Sequence, residues 1–297
     1  MTEMSRRRFL GTAVVLAGGV GAFATGCGSG SGGGSDALAK IKKSKSIRIG
    51  TANFKPYSYS TTDGKLEGFV IDMISAAMKP LGVDKVVPTW VGDTSAYIPG
   101  LNADKYDVIA NGMYIKPERC AQVGFTNPFY RAGMAMVVHK GNPKGIGSVA
   151  GIAKDDKVKV ATLVGTTQVT DLKTAKVPEN RTVLFPAPET AVRALESKRV
   201  DAVYLPQPEA AGVVKGRPEL AIATPYEQIH DDAGKPMFNH GALAIRSKDT
   251  SLREALDERL AAMREDGTVL KILERYGLTE ENLSEDGLTS KSLRQAK

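Results

Sequence analysis

Cysteine, histidine and tryptophan are scarce in this sequence, and their scarcity excludes several kinds of site. The 297 residues include two cysteines, three histidines and one tryptophan. If Cys27 carries a lipid, as argued below, Cys120 has no partner for an intramolecular disulfide. Cys120 also lacks a recognisable histidine partner motif, so we expect a buried structural thiol rather than a nucleophile. The histidines lack zinc-ligand spacing, so we predict no metal site and no cofactor; they are His139, His230 and His240.

Basic runs interleaved with aromatic residues are absent as well. The formal net charge is +7, but part of it lies in the first residues, and lysines and glutamates are interspersed along the rest. A nucleic-acid partner is therefore not expected. With 42% hydrophobic and 25% charged residues, the chain can form one large or two modest globular domains.

The N-terminus has the pattern of an export signal. Three arginines, Arg6 to Arg8, precede an apolar run over residues 12–23. The segment Ser-Arg-Arg-Arg-Phe-Leu from Ser5 resembles the twin-arginine signal, which a receptor reads. The apolar run falls short of the ~20 residues that a spanning helix needs. We therefore predict a twin-arginine-like lipoprotein signal peptide over residues 1–26.

Cys27 is the predicted lipidation site. It follows Ala24-Thr25-Gly26, which resembles a lipoprotein cleavage box, and residues 28–35 are only glycine and serine. Such a tract has no side chains for packing and acts as a flexible tether. It is not a phosphate loop, because no strand precedes it. We predict a lipidated Cys27 and a tether over residues 27–38, which would anchor an extracytoplasmic protein to the outer face of the cytoplasmic membrane.

The rest of the chain alternates predicted strands and helices, which favours an α/β architecture with mostly parallel sheets. Residues 251 and 254, Ser and Glu, predict a capping box at the start of a late helix. The predicted strands are 47–50, 107–110, 134–138, 158–161 and 201–205, and the predicted helices are 72–81, 190–198, from 251, and 269–276.

Five motifs occur in an order that is typical of one known family. They are Asp-Gly-Lys-Leu-Glu-Gly-Phe-Val-Ile-Asp at 63–72, Ile-Pro-Gly-Leu at 98–101 with Tyr-Asp-Val-Ile at 106–109, Met-Tyr-Ile-Lys-Pro-Glu-Arg at 113–119 with Val-Gly-Phe-Thr-Asn-Pro-Phe-Tyr at 123–130, Gly-Thr-Thr at 165–167, and Arg-Val-Asp-Ala-Val at 199–203. Over about residues 40–280 the chain resembles the family 3 extracytoplasmic solute-binding proteins of ABC importers.

The resemblance implies a periplasmic-binding-protein fold of two α/β lobes. Each lobe would have a mixed sheet flanked by helices, and two hinge crossings would join them. Lobe 1 would comprise residues 40–138 and 239–297, and lobe 2 residues 139–238. A monomer would close around a small solute in the cleft and present it to permease subunits in the membrane.

Three residues are expected to bind a ligand carboxylate. Arg119 matches the family arginine that holds this group, and a guanidinium offers a planar fork of donors that stays charged when desolvated. Thr166 and Thr167 follow a glycine at a predicted strand-to-helix turn, where backbone N–H groups point outward. By resemblance they would complete the carboxylate site from lobe 2, although simple helix capping is the alternative.

Four aromatic residues are expected near a ligand cation: Phe54, Tyr57, Tyr114 and Tyr204. Aromatic faces attract diffuse cations, although packing in the core is the alternative for each of them. Typical amino-acid binders of the family carry an aspartate for the ligand ammonium where this sequence has Pro206. A delocalised or substituted cation is therefore expected.

Tyr204-Leu-Pro206 and the Lys-Pro-Glu-Arg-Cys run resemble the ectoine- and hydroxyectoine-binding branch. That branch places an acidic residue in the first loop, whereas residues 51–56 here contain no carboxylate. An ectoine-like compatible solute and an amino acid both remain open as the zwitterionic ligand.

Two other functions are possible on this fold. One is an extracytoplasmic cyclohexadienyl (prephenate or arogenate) dehydratase, which needs an acid or base in the cleft. The motif-matched cleft positions contain no such group, so we expect a binding protein and not an enzyme. The other is a sensor module, which we would expect to continue into a spanning helix and a signalling domain.

Overall fold

A computed structural model describes residues 36–231 and 233–295, so the predicted signal peptide and the predicted lipidation site Cys27 lie outside the described residues. In chain order the strands are β1 (Ser46–Thr51), β2 (Tyr59–Ser60), β3 (Leu66–Glu67), β4 (Lys85–Trp90), β5 (Val108–Ile109), β6 (Gly124–Phe125), β7 (Tyr130–Ala132), β8 (Met134–His139), β9 (Val160–Leu163), β10 (Thr182–Phe185), β11 (Ala202–Pro206), β12 (Leu220–Ile222), β13 (Asn239–Gly241) and β14 (Ala244–Ile245). The helices are α1 (Ala37–Ser44), α2 (Phe69–Met78), α3 (Tyr97–Asn102), α4 (Pro117–Cys120), α5 (Val149–Lys154), α6 (Thr167–Thr174), α7 (Pro188–Glu196), α8 (Gln207–Val214), α9 (Thr250–Glu265), α10 (Thr268–Arg275) and α11 (Ser290–Gln295).

Within these ranges ten of the strands form two five-stranded mixed sheets flanked by helices. The first has the order β4-β1-β5-β14-β6, and the second has the order β10-β9-β11-β8-β12. In the first sheet β14 is antiparallel to its neighbours, and in the second sheet β8 is. We call the part built around the first sheet lobe 1 and the part around the second sheet lobe 2. The predicted α/β fold with two mixed sheets is confirmed.

A short ribbon joins the lobes where the chain crosses between them. Strands β7 and β13 pair antiparallel, with Gly241 opposite Tyr130. A Cβ atom on Gly241 would lie 1.8 Å from Tyr130 Cε1, so only glycine fits against this buried ring. The next strand, β8, already belongs to the second sheet, although the predicted boundary at residue 138 assigned it to lobe 1.

Hydrophobic alternation explains why the predicted elements form. In β1, Ile47 and Ile49 are fully buried on one face, and β8 is apolar from Met134 to Val138 because both of its faces are covered. Helix α2 begins at Phe69, earlier than predicted, because Phe69 and Val70 also pack into the core. The edge strand β4 ends at Trp90, the single tryptophan, which remains half exposed.

Two local predictions were wrong. Helix α9 has Asp249 at its N-cap position, and no side chain makes a capping bond there. The Ser251 hydroxyl instead hydrogen-bonds the Asp36 carboxylate, so the predicted capping box does not form. The tether was predicted to extend to residue 38, but Asp36 already caps α1, with Leu38 N–H donating to its carboxylate over 3.0 Å. None of the helices in the described ranges combines the length and hydrophobicity needed to cross a membrane.

Candidate functional site

A small cavity lies between the two lobes. Its volume is about 70 Å³. Lobe 1 and the hinge ribbon contribute Phe54, Tyr57, Thr94, Tyr97, Asn111, Gly112, Met113, Tyr114, Arg119 and Tyr130; lobe 2 contributes Leu163, Gly165, Thr166, Thr167, Gln168, Leu205, Pro206 and Glu209. The size suits a small solute rather than a peptide or an oligosaccharide.

The lobes touch at the rim of this cavity. The Thr94 hydroxyl donates a hydrogen bond to the Val164 carbonyl of the opposite lobe. Gly165 adopts φ +73°, and a Cβ atom there would lie 3.1 Å from the Ser95 nitrogen. A glycine is needed at this position both for the left-handed conformation and for the close approach of the two lobes.

The Arg119 guanidinium lines the cavity at the start of lobe 1's short helix α4. Its Nη1 donates to the Tyr114 carbonyl (3.1 Å), and its Nη2 donates to the Gly165 carbonyl of lobe 2 (3.3 Å). Of its five N–H donors, these bonds use two and leave three. Burial lowers the pKa of Arg119, but a guanidinium remains charged. Arg119 therefore provides a fixed positive charge with free donors.

Thr166 and Thr167 lie where the sequence placed them, at the start of α6. Thr166 is the N-cap residue, but its hydroxyl donates to the Leu163 carbonyl (2.7 Å) and makes no capping bond. Thr167 Oγ1 and Gln168 Oε1 are buried beside the cavity without a hydrogen-bond partner among the described residues. This end of α6 therefore offers polar groups to the cavity that the protein itself does not satisfy.

An aromatic wall closes the lobe 1 side. The rings of Tyr57 and Tyr114 have centroids 6.0 Å and 6.3 Å from that of Tyr130, and Phe54 lies beside them in the cavity lining. The Tyr130 hydroxyl donates to the Gly112 carbonyl (2.6 Å). Burial raises the pKa of Tyr57, Tyr114 and Tyr130, so these phenols stay neutral.

Unpartnered polar atoms are concentrated at this cavity. In the described residues, the following cavity-lining atoms are buried and make no hydrogen bond: the hydroxyl oxygens of Tyr57, Tyr97, Tyr114 and Thr167, Asn111 Oδ1, Gln168 Oε1 and Glu209 Oε1. A buried polar atom without a partner costs about 1–3 kcal/mol. Their convergence on one space is what a site built for a polar ligand requires.

Glu209 is a cavity-lining residue that sequence reasoning missed. It lies in the first turn of α8, three residues after Pro206, and is 4% exposed. Burial raises its pKa to about 8. The sequence feature that could have identified Glu209 is its position as a single charged residue between the apolar residues Pro208 and Ala210. Tyr97, Asn111, Tyr130 and Gln168 were also not singled out as site residues.

Tyr204 does not line the cavity. Successive side chains of a strand point to opposite faces, and in β11 Leu205 faces the cavity while Tyr204 packs into the core on the far face. Its hydroxyl donates to Asp171 Oδ2 over 3.2 Å. The structure thus brings together Arg119, Thr166, Thr167, Phe54, Tyr57 and Tyr114 and leaves Tyr204 out. Cys120 is free and partly buried, away from the cavity lining.

Known proteins resemble this chain over most of its length. A probable amino-acid ABC transporter periplasmic-binding protein of Sinorhizobium fredii is 30% identical over 246 residues, 82% of this chain and 81% of that protein. The crystal structure of EhuB in complex with hydroxyectoine superposes with a TM-score of 0.79 at 31% identity, over 88% of this chain and 99% of that one.

A third similar protein is the ancestral amino acid-binding protein AncCDT-1, a precursor of cyclohexadienyl dehydratase. Its crystal structure superposes with a TM-score of 0.69 at 30% identity, over 80% of this chain and 98% of that one. Residues 47–279 match the family model described as bacterial extracellular solute-binding proteins, family 3. The chain belongs to this family.

Proposed function

We propose that this protein is the solute-binding component of an ABC importer and captures a small zwitterion between its lobes. The observation that carries this proposal is the meeting of a fixed Arg119 charge and unpartnered buried polar atoms in one small inter-lobe cavity. Arg119 would hold the ligand carboxylate, with Thr166 and Thr167 adding contacts from lobe 2. Tyr57, Tyr114 and Phe54 would contact the rest of the solute.

Two ligand classes are consistent with this site. The relative from S. fredii is a probable amino-acid transport protein, and EhuB was crystallised with hydroxyectoine. Both solute types carry at least one carboxylate and at least one nitrogen-centred cation, and both are small. We therefore propose an ectoine-like compatible solute or an amino acid as the cargo, and membrane permease subunits as the partner of a monomer.

A thermal-shift screen tests the proposal. A ligand that binds only the folded state raises the melting temperature. We expect a shift with at least one solute among ectoine, hydroxyectoine and the twenty amino acids, and none with the matching amines that lack a carboxylate. If no zwitterion shifts the melting temperature, the proposed function is wrong.

The lipid anchor is a separate part of the proposal, because it concerns residues outside the described ranges. Cys27→Ala should release the protein from the membrane fraction of a bacterial host, whereas Cys120→Ala should not. Retention of Cys27→Ala protein that mass spectrometry shows to be processed would contradict lipidation at this position.

A dehydratase remains the second candidate, because Glu209 supplies the cleft acid that the sequence motifs lacked. A protonated carboxyl at this site could protonate the leaving hydroxyl of prephenate, which breaks down to phenylpyruvate, carbon dioxide and water. The small cavity argues against so large a substrate. Formation of phenylpyruvate from prephenate, abolished by Glu209→Gln, would support the enzyme over the binding protein.

A further inference from the structure

Glu209 is a buried carboxyl group in the lining of the cavity between the lobes. Its Oε1 makes no hydrogen bond to any described residue, and its side chain is 4% exposed. It lies on lobe 2, whereas Arg119 lies on lobe 1, and both line the same cavity. A charged carboxylate left alone in such a place is costly, so it needs either a proton or a cation.

The groups that face Glu209 do not supply that cation. Its neighbours across the cavity are the phenols Tyr57, Tyr97, Tyr114 and Tyr130, each of which burial keeps neutral by raising its pKa. The remaining charged group of the lining is Arg119, which makes no salt bridge with Glu209.

The elements packed behind α8 direct their ionisable side chains elsewhere. His139 of β8 bonds the Leu195 carbonyl, and Tyr204 of β11 bonds Asp171. On α7, Glu189 and Glu196 pair with Arg217, and Arg193 is exposed. Burial alone raises the pKa of Glu209, and the carboxyl is mostly protonated in neutral solution when no cation lies beside it.

Resting on the proposed function, we propose that Glu209 binds the ligand's cationic nitrogen and gives up its proton when the solute enters. The proton leaves the carboxyl for the solvent, and the resulting carboxylate accepts hydrogen bonds from an ammonium or amidinium N–H. Glu209 thereby takes the role for which neither Pro206 nor the loop at residues 51–56 offers a carboxylate.

This arrangement selects for solutes that carry both charges. The ligand carboxylate would pair with lobe 1 through Arg119, and the ligand cation with lobe 2 through Glu209. The ligand nitrogen must carry N–H groups, because a fully substituted ammonium cannot donate to a carboxylate. The solute class is therefore an amino acid or a cyclic amidinium acid rather than a trimethylated betaine.

The sign of the pH dependence follows from the exchanged proton. Below pH about 8 the ligand-free protein holds the proton and the complex does not. Affinity for a zwitterion should therefore rise by up to about tenfold per pH unit between pH 6 and pH 8. An anionic analogue without the cation should bind with nearly constant affinity from pH 6 to pH 7 and weaken only as the pH passes about 8, because it binds only while Glu209 is neutral.

The experiment is calorimetric titration of the purified protein with hydroxyectoine, L-glutamine, and glutaramate, which is glutamine without its α-ammonium. Wild-type protein is titrated at pH 6, 7 and 8, and at pH 7 in two buffers of different ionisation enthalpy. We expect release of close to one proton per bound zwitterion and none for glutaramate. Glu209→Gln should abolish both the proton release and the pH dependence. Gln207 is a neighbour that does not line this cavity. The double variant Gln207→Glu/Glu209→Gln should therefore recover neither the proton release nor the pH dependence.

A ligand-free measurement separates the two proposals. A carboxyl whose pKa is raised from 4.5 to about 8 in the folded state stabilises the fold fully below pH 4.5, and this contribution is lost as pH rises towards 8. The melting temperature of wild type relative to Glu209→Gln should fall over this range. If a zwitterion binds with unchanged affinity from pH 6 to pH 8 and without proton release, this inference is wrong and the importer function stands. If neither zwitterion binds and the two melting profiles coincide, this inference is also overturned.

Discussion

The two walls of the cavity differ in the side chains that form them. The lobe 1 wall is aromatic and internally fixed, since Tyr130 bonds Gly112 and packs against Tyr57 and Tyr114. The lobe 2 wall includes Thr167, Gln168 and Glu209 at the starts of α6 and α8, each with a side-chain oxygen that has no partner in the described residues. Lobe 1 thus supplies an aromatic surface and the Arg119 cation, and lobe 2 supplies a carboxyl group and hydrogen-bonding side chains.

This difference indicates that the two lobes act at different stages of solute binding. The lobe 1 wall can receive the solute while the cleft is open, because Arg119 and Tyr130 are held by hydrogen bonds within lobe 1. The polar wall lowers its free energy only when a ligand satisfies its oxygens and the lobes meet. We therefore expect substitutions in the lobe 1 wall to weaken the initial contact. Substitutions in the lobe 2 wall or at bonds between the lobes should affect mainly the lifetime of the closed complex.

Loss of the Arg119 charge should have the largest effect. In Arg119→Ala the ligand carboxylate loses its counter-charge in a desolvated cavity, which typically costs about 3–5 kcal/mol, or roughly two to four decades of affinity. Arg119→Lys should rescue only in part, because an ammonium lacks the planar fork. Titration calorimetry measures both, and Arg193→Ala, an exposed arginine on α7, is the control. Binding by Arg119→Ala within a factor of about three would rule out the carboxylate clamp.

Tyr204→Phe should affect stability and not binding. It removes the hydrogen bond to Asp171, which should lower the free energy of unfolding by about 1–2 kcal/mol. Solute affinity should stay within a factor of about two. Tyr57→Phe is the matched opposite, because its hydroxyl faces the cavity without a protein partner. Denaturant unfolding and titration calorimetry of Tyr204→Phe and Tyr57→Phe measure the stability and the solute affinity of each variant. A large affinity loss in Tyr204→Phe would indicate that Tyr204 belongs to the binding site.

Tyr114→Leu should weaken binding by about 0.5–2 kcal/mol, since it keeps apolar bulk but removes the aromatic face that a cation would contact. Tyr59→Leu serves as the control, because Tyr59 does not line this cavity. Unchanged affinity in Tyr114→Leu would indicate that the lobe 1 wall contributes packing alone.

The smallest effect is expected at the rim. Thr94→Val removes the hydrogen bond from Thr94 to Val164 across the lobes and should cost about 0.5–1.5 kcal/mol of affinity. Stopped-flow measurements should place the loss in the dissociation rate, because this bond exists only when the lobes meet. Thr89→Val on β4 is the control. Equal dissociation rates in both variants would mean that the hydrogen bond from Thr94 to Val164 does not stabilise the closed form.

Sequence reasoning predicted the α/β layers and most of the lobe 1 site, because apolar periodicity and contiguous motifs are local signals. Arg119 and Tyr114 lie in one motif, so finding one located the other. The prediction that Tyr204 lines the cleft was wrong, because the alternation of side chains along a strand shows which residues share a face but not which face borders the cleft. Glu209 was missed because its burial depends on the other lobe, and a glutamate in the first turn of a helix ordinarily indicates an exposed position.

The single tryptophan gives this chain a built-in optical reporter. Trp90 ends β4, half exposed, shortly before Thr94, which bonds the opposite lobe. Indole emission shifts with the water around the ring, and no second indole in the sequence obscures it. Solute capture should therefore be visible as a change in intrinsic fluorescence, without any attached dye.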